Sequence, residues 1–280
     1  MNHQNLFFND TKLRTLWRIL IFVCLVALAI SPLILLKNSF IQFFGALLIL
    51  ILGLYLSSKY LDKRDFSAYG LVFRKETFVH LLVGIIIGSF SVVFLLFIGK
   101  VTGILSVAVA AKIPSLSSLL LFAFKMFLVA VLEETFFRGY LFTNIYDGFK
   151  SETVTKKQAI LIAVMLSSVL FGLAHIGTNN ASLLSIIFLS INGMVWCIPF
   201  IITKNLGLSI GLHLSWNFAQ TQIGFTMSGN KAVNSFYSIQ NNGSDILTGG
   251  DYGPEAGIIG LVGFMMMLVL SITYLKLKQV

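Results

Sequence analysis

The chain has 280 residues, of which 57% are hydrophobic and 11% are charged, and its formal net charge is +9. A soluble domain carries about 25% charged residues, so the composition excludes a soluble globular protein and predicts a polytopic membrane protein. The basic residues are spread over the loops between apolar segments, which argues against binding to nucleic acid. We therefore predict a single membrane domain over residues 1–280.

Eight apolar segments follow one another along the chain, each close to the roughly 20 residues that a helix needs to span a bilayer. In chain order they are approximately residues 16–36, 40–60, 80–99, 118–142, 158–175, 181–203, 206–225 and 256–275. The expected fold is all-α, with about eight transmembrane helices and an intramembrane active site. The longest polar stretch, about residues 227–254, is too short for a domain and is predicted to be a loop.

Lysine and arginine predict the orientation of the chain in the cell membrane. With a cytoplasmic N-terminus, fourteen of the 20 lysine and arginine residues lie inside, four lie outside and two lie within the fourth span. Cytoplasmic loops carry an excess of these residues, so we predict a multi-pass protein with both termini in the cytoplasm. Residues 62–78 mix charges with aromatic side chains and are predicted to lie on the inner surface of the lipid bilayer.

The fourth span contains the sequence EETFFRG at residues 133–139. A charged side chain near the centre of a membrane helix costs about 2.5–3.5 kcal/mol on insertion scales. Glu134 and Arg138 are four residues apart, so they face the same way and are predicted to pair. Glu133 is rotated by about 100° from Glu134 and therefore lies on a different helix face from Arg138. Because the arginine is expected to hold Glu134, Glu133 is favoured as the general base. The competing interpretation is an ion cluster that only packs helices together.

Two further polar clusters follow, each with a four-residue spacing. FGLAH places Phe171 and His175 on the fifth span, and HLSWN places His213 and Asn217 on the seventh. An imidazole and a carboxamide on one helix face can both donate hydrogen bonds to a developing oxyanion. Each cluster by itself is also typical of hydrogen bonding between helices. Three polar clusters on three helices nevertheless predict one convergent internal site.

The ordered motifs EE-x-x-x-R, F-x-x-x-H and H-x-x-x-N resemble those of the CPBP family of intramembrane proteases. That family includes the CAAX prenyl endopeptidases and the bacterial Abi, or bacteriocin-processing, proteins. The resemblance covers about residues 118–220, which we take as the catalytic core. It implies an endopeptidase that hydrolyses a peptide bond of a membrane-associated peptide or protein. In bacteria, the implied roles are peptide maturation and self-immunity to a bacteriocin.

The resemblance also implies roles for individual residues. The implied catalytic residues are Glu133, His175, His213 and Asn217. Glu133 and His175 would activate a water molecule, and His213 and Asn217 would stabilise the oxyanion. The residues that would orient or support the site are Glu134, Arg138 and Phe171.

Two alternatives stay open at this point. Glu133, His175 and His213 could together hold a zinc ion with an open coordination position, although we favour water activation without a cofactor. The same fold would also serve a non-proteolytic membrane protein that confers immunity or binds a partner. An ion-coupled transporter has less support, because the sequence contains nothing like an inverted repeat.

Overall fold

The computed structural model describes residues 7–9 and 12–278. Its α-helices, in chain order, are α1 (Thr15–Ile30), α2 (Ser39–Tyr60), α3 (Lys75–Val101), α4 (Leu116–Glu134), α5 (Thr143–Phe149), α6 (Lys156–Leu173), α7 (Leu183–Thr203), α8 (Gly207–Ile223), α9 (Asp245–Thr248) and α10 (Ile258–Leu277). A π-helix, Thr135–Phe142, joins α4 to α5. Short 3-10 helices cover Ser31–Leu35, Phe66–Tyr69, Gly250–Tyr252 and Pro254–Ala256.

The predicted all-α polytopic membrane fold is confirmed. Within the part of the chain that the structure describes, seven helices are long and apolar enough to cross a membrane. The fourth of them is longer than predicted, because α4, the π-helix and α5 form one span of 34 residues, Leu116–Phe149. The predicted segment 206–225 forms α8, which has 17 residues and does not belong to the seven. Most of α8 is buried, including its polar side chains.

Two short pairs of antiparallel strands accompany the helices. The first pair is β1 (Phe8–Asn9) with β2 (Lys12–Leu13). The second is β3 (Leu105–Val109) with β4 (Tyr237–Asn241), in a register that places Leu105 opposite Asn241. Strand β4 lies inside the polar stretch 227–254, which was predicted to be a loop. Its partner lies more than a hundred residues earlier, so local sequence gave no sign of the pairing.

The chain divides into two compact units. The first contains the described residues up to Val72 together with Val131–Ser167, and the second contains Phe73–Ala130 together with the described residues from Ser168 onward. Two of the three boundaries fall inside α4 and α6, so both units contain parts of these helices. The single domain over residues 1–280 and the core over 118–220 stay predictions.

The core of the first unit contains a buried carboxylate, Asp62, with 0% of its surface exposed. Four side chains from different parts of the unit donate hydrogen bonds to it: Arg18 (2.6 Å), Ser57 (3.2 Å), Tyr69 and Asn144 (3.0 Å). A buried charge is tolerated only when it is paired and hydrogen-bonded, and both conditions are met here.

This network shows how the first part of residues 62–78 packs. Asp62 and Tyr69 are fully buried in the protein, because Arg18 neutralises the aspartate within the core, and the location of the segment at the membrane surface stays a prediction. Phe73 is 85% exposed, so the second half of the segment differs from the first.

Close packing of α3 on α8 organises the second unit. A Cβ atom added to Gly84 of α3 would lie 2.6 Å from the carbonyl oxygen of Leu208 and 2.9 Å from Cα of Gly211, both in α8. Only glycine lets the two backbones approach so closely. Farther along α8, the Trp216 ring packs on Phe264 of α10 with centroids 4.5 Å apart. These contacts hold α8, and with it His213 and Asn217, inside the unit.

Candidate active site

The EETFFRG motif occupies the point where α4 becomes a π-helix. Glu133 and Glu134 end the α-helix, and Arg138 lies in the π-helical segment that follows. Arg138 Nη1 donates a 2.9 Å hydrogen bond to Glu134 Oε1, and the two side chains are 1% and 0% exposed. Glu133 is only partly buried. The pair expected from the four-residue spacing is therefore present, and a π-helix within an α-helix is frequent at functional sites.

Contacts within the first unit fix the π-helical segment. The Tyr140 hydroxyl donates to the carbonyl oxygen of Arg18 at 3.2 Å. Asn144 Nδ2 donates both to the carbonyl oxygen of Tyr140, at 3.2 Å, and to Asp62. The Asp62 network thus reaches the segment that carries Arg138. Sequence reasoning missed Asp62 and Asn144 as support for the motif, because neither belongs to a recognisable pattern.

The second motif lies at the end of α6. Phe171 is buried in the last turn, whereas His175 lies two residues beyond the end of the helix, in a turn, and is partly buried. His175 Nδ1 is 2.8 Å from the carbonyl oxygen of Phe171, and the two rings are 4.9 Å apart. A carbonyl oxygen can only accept, so Nδ1 carries the hydrogen. In the neutral ring, Nε2 is then the nitrogen that can take up a proton.

The third motif lies on α8. His213 and Asn217 are 2% and 7% exposed and one helical turn apart. The His213 ring is stacked on Trp196 of α7, with centroids 4.1 Å apart and planes at 19°. Ser209, one turn earlier, donates a 2.9 Å hydrogen bond to the carbonyl oxygen of Trp196. These contacts fix the orientation of the imidazole.

The structure brings two of the three motifs together in the second unit. The Phe171 ring lies 6.3 Å from the His213 ring and 5.8 Å from the Trp196 ring, as well as beside His175. We call Phe171, His175, Trp196 and His213 the histidine cluster. Glu133, Glu134 and Arg138 belong to the first unit. The action of both groups on one substrate stays a prediction.

Trp196 and Glu255 are members of this region that sequence reasoning missed. Glu255 is 3% exposed and interacts electrostatically with His175 and His213. Burial raises the pKa of the Glu255 carboxyl, and hydrogen bonds from Ser228, together with the electrostatic effect of His175 and His213, partly oppose this shift. The available signal was a single acidic residue in GPEAG, immediately before the last apolar segment.

The zinc alternative requires a group of ligands around one point. Among residues 7–9 and 12–278, no three histidine, cysteine, aspartate or glutamate side chains form a group that could hold a metal ion. The zinc alternative, which needs its donors within about 2.0–2.3 Å of one ion, thus has no support among the described side chains, and a reaction without a cofactor stays a prediction. We accordingly derive no catalytic step through a metal.

Comparison with known protein families gives a match to part of the chain. Residues 115–219 match the family described as Type II CAAX prenyl endopeptidase Rce1-like. No curated protein and no solved structure matches the chain. The matched segment contains EETFFRG, FGLAH and HLSWN, the three motifs on which the resemblance was based. Over residues 115–219, less than half of its length, the chain is therefore similar to the Rce1-like family of CAAX prenyl endopeptidases.

Proposed function

We propose that the protein is an intramembrane endopeptidase that hydrolyses a peptide bond of a membrane-associated peptide or protein. The observation that carries this proposal is the family match over residues 115–219, which contains all three motifs. The Glu134–Arg138 ion pair supports a division of roles within the first motif. Arg138 holds Glu134 in an ion pair, and we assign the activation of the attacking water to Glu133. In bacteria, the activity would serve peptide maturation or bacteriocin self-immunity.

The proposed reaction needs a base, an oxyanion site and a proton for the leaving group. Glu133, assisted by His175 Nε2, takes a proton from water while the water oxygen attacks the peptide carbonyl carbon. His213 and Asn217 donate hydrogen bonds to the oxyanion that forms. The carbon–nitrogen bond then breaks, and the proton held by Glu133 passes to the leaving amine. The action of Glu133 with the histidine cluster on one substrate is part of the proposal and rests on the family match.

Glu133→Gln tests the proposal. The substitution keeps the shape of the side chain but removes the base, so we expect cleavage to fall by about 10²–10⁴-fold. Comparative peptidomics of cells carrying wild type or the variant should show a precursor that accumulates only with the variant. Glu152→Gln, on an exposed loop, is the matched control. Full biological activity of a stably inserted Glu133→Gln protein would instead support a non-proteolytic immunity or partner-binding protein.

We further propose that no metal takes part in the reaction. Purified protein should keep its cleavage activity after treatment with a chelator such as 1,10-phenanthroline. Loss of activity that zinc restores would contradict this, and the same treatment of Glu133→Gln would give the background rate.

We also propose that α8 makes an eighth crossing in addition to the seven longer helices, so that both termini face the cytoplasm, because eight crossings place fourteen of the 20 lysine and arginine residues inside. Ser151 and Ser244 are exposed and lie on opposite sides in this orientation. Single cysteines introduced there, in a background with Cys24 and Cys197 replaced by serine, can be labelled with a membrane-impermeant maleimide. Labelling of Ser244→Cys only from the cytoplasm would reverse the proposed orientation.

A further inference from the structure

Strand β3 has an edge that β4 does not cover. The backbone N–H of Ala110 donates to the carbonyl oxygen of Phe236 at 3.0 Å, at one end of the β3–β4 ribbon. Hydrogen-bonded and non-bonded pairs alternate along an antiparallel ladder, and the register here is unbroken. Val107 and Val109 therefore turn their backbone N–H and C=O groups away from β4. Among residues 7–9 and 12–278, none forms a hydrogen bond with these outward groups.

The side chains of β3 do not protect this edge from pairing. Natural proteins keep edge strands unpaired with charged residues, proline or bulges. The strand reads LSVAV, and neither its composition nor its register contains any of these features. Val109 is 73% exposed, and Val107 is half-buried. An open edge of this kind is a template for another extended chain.

The ribbon is attached to the end of α8, the helix that carries the third motif. The backbone N–H of Phe236 donates to the carbonyl oxygen of Gln222 at 2.8 Å. Gly224, at the end of α8, lies against the carbonyl of Tyr237 in β4, where a side chain would clash. Gln222 is five residues beyond Asn217, which is about 7.5 Å along a helix. The ribbon therefore lies within a few residues of extended chain from the proposed oxyanion donors.

The polar stretch that contains β4 also contacts the turn after α6. In that turn, Thr178 donates to the hydroxyl of Tyr252 at 3.3 Å. Asn179 Nδ2 donates to Asn230 Oδ1, also at 3.3 Å. His175 belongs to the same turn. These contacts place the ribbon at the end of the second unit where His175 lies.

Two lysines bracket the open edge. Lys100 lies in the last turn of α3, Lys112 follows β3 by three residues, and both are exposed. The sequence from Thr77 to Leu132 contains no aspartate or glutamate. A positive surface attracts a partner of negative charge. The charge beside the edge therefore favours an acidic peptide.

We propose that the outer edge of β3 binds an extended, acidic segment of the peptide substrate by strand addition. The identification of this peptide as a substrate rests on the endopeptidase function proposed above. The alternating N–H and C=O groups of an open edge match another extended backbone, and such main-chain hydrogen bonds provide affinity. The bound segment lies several residues from the cleaved bond, because β4 lies between this edge and Gly224.

Hydrogen exchange tests the edge without any cleavage. The probe is a synthetic peptide of alternating valine and threonine with a glutamate at each end, added to purified protein in detergent. We expect the amides of Val107 and Val109 to exchange more slowly when the probe is present. Equal exchange with and without the probe would overturn the proposal. Protection that needs no probe and grows with protein concentration would also overturn it, because a second copy of the chain would then be the occupant.

Two altered probes separate backbone pairing from charge. The same peptide with N-methyl groups on alternate residues cannot donate along one edge, and we expect it to give no protection. The peptide with a lysine instead of a glutamate at each end should bind at least about tenfold more weakly at low salt. Protection by the N-methylated probe would contradict strand addition, and equal binding of the lysine probe would contradict the acidic preference.

Val107→Pro tests the edge in the protein. It removes an N–H that takes no part in the β3–β4 ladder, and proline is tolerated at such edge positions. Val107→Thr is the matched control, because it keeps the N–H and the branched shape. We expect Val107→Pro to abolish protection of Val109 by the glutamate probe, with a wild-type melting temperature in both variants. If Val107→Pro lowers the melting temperature, the N-methylated probe decides in its place.

Cleavage assays then test the link to the proposed function. With the precursor found by peptidomics, Val107→Pro should raise KM at least about fivefold with kcat nearly unchanged, the pattern of lost uniform binding. A wild-type KM would overturn the role of this edge and leave the endopeptidase proposal intact. If the probe protects the edge while wild-type protein cleaves nothing, the endopeptidase proposal fails and peptide binding by β3 stands.

Discussion

The two units bury their polar groups by different means. In the first unit, Arg18 donates to Asp62 at 2.6 Å and Arg138 donates to Glu134 at 2.9 Å, so the buried groups are oppositely charged pairs. In the second unit, the His213 ring is stacked on an indole, and the Glu255 carboxylate accepts hydrogen bonds from Ser228. Closely packed glycines, rather than ion pairs, bring α3 and α8 together.

The two units also differ in how a change of charge affects their buried groups. An ion pair with full hydrogen bonding fixes one charge state, and removal of either partner leaves an uncompensated buried charge. In the second unit, uncharged donors of Ser228 hold the Glu255 carboxyl, so a change in its protonation breaks no ion pair recorded among the described residues. The first unit therefore holds its buried carboxylates with arginine side chains, whereas the second holds the Glu255 carboxyl with uncharged donors.

The largest expected effect is the loss of the charge at the centre of the first unit. Asp62→Asn leaves the buried Arg18 without its aspartate, and breaking a buried pair in this way costs about 3–5 kcal/mol. We expect the free energy of unfolding in detergent to fall by that amount. Asp65→Asn is the matched control, because Asp65 is exposed and asparagine caps a helix equally well. Equal stability of the two variants would show that the ion pair does not hold the first unit.

A smaller effect is expected from the packing in the second unit. Gly84→Ala places a Cβ atom where the carbonyl oxygen of Leu208 is only 2.6 Å away. Overpacking of this kind costs about 1–3 kcal/mol, because α3 and α8 must move apart. Thermal unfolding in detergent should show the loss, whereas Gly177→Ala, whose Cβ would meet nothing within 4 Å, should behave like wild type. A wild-type melting temperature for Gly84→Ala would show that the close approach of α3 and α8 does not stabilise the second unit.

The smallest expected effect is a pH dependence that comes from Glu255. Burial raises the pKa of this carboxyl above its ordinary value of 4.5, so the folded protein holds the proton more tightly than the unfolded chain. The resulting stability is fully present below pH 4.5 and is lost as the pH rises through the folded-state pKa. Melting curves of wild type and Glu255→Gln should therefore differ in pH dependence over this window. If the melting temperatures of both proteins changed with pH in the same way, the pH dependence would come from other groups.

The comparison also shows what the sequence could predict. The Glu134–Arg138 pair follows from a four-residue spacing within one helix, and the structure contains it. The burial of Asp62 in an ion pair was not predicted, because its main partner, Arg18, is 44 residues away and no local pattern connects them. His175 was placed inside a helix, although α6 ends at Leu173, because residues after a membrane helix can remain apolar.

Glu255 was missed for a related reason. Its hydrogen-bond partner Ser228 is 27 residues away, within a stretch whose composition indicates only a loop. Hydropathy locates membrane spans because burial in lipid acts on each residue separately. Pairing between distant loops depends on the tertiary fold, and so β3–β4 and the Ser228–Glu255 contact could not be predicted in the same way.

The π-helix has a consequence for how this stretch can change in evolution. A π-helix closes its hydrogen bonds over five residues instead of four, so Thr135–Phe142 requires an exact number of residues. Exchange of one apolar side chain for another preserves that number. Deletion of a single residue that the segment does not absorb would turn everything beyond it by about 100°, which carries Asn144 away from Asp62. In this segment, chain length is under stronger constraint than composition, and insertions and deletions should be far rarer than substitutions.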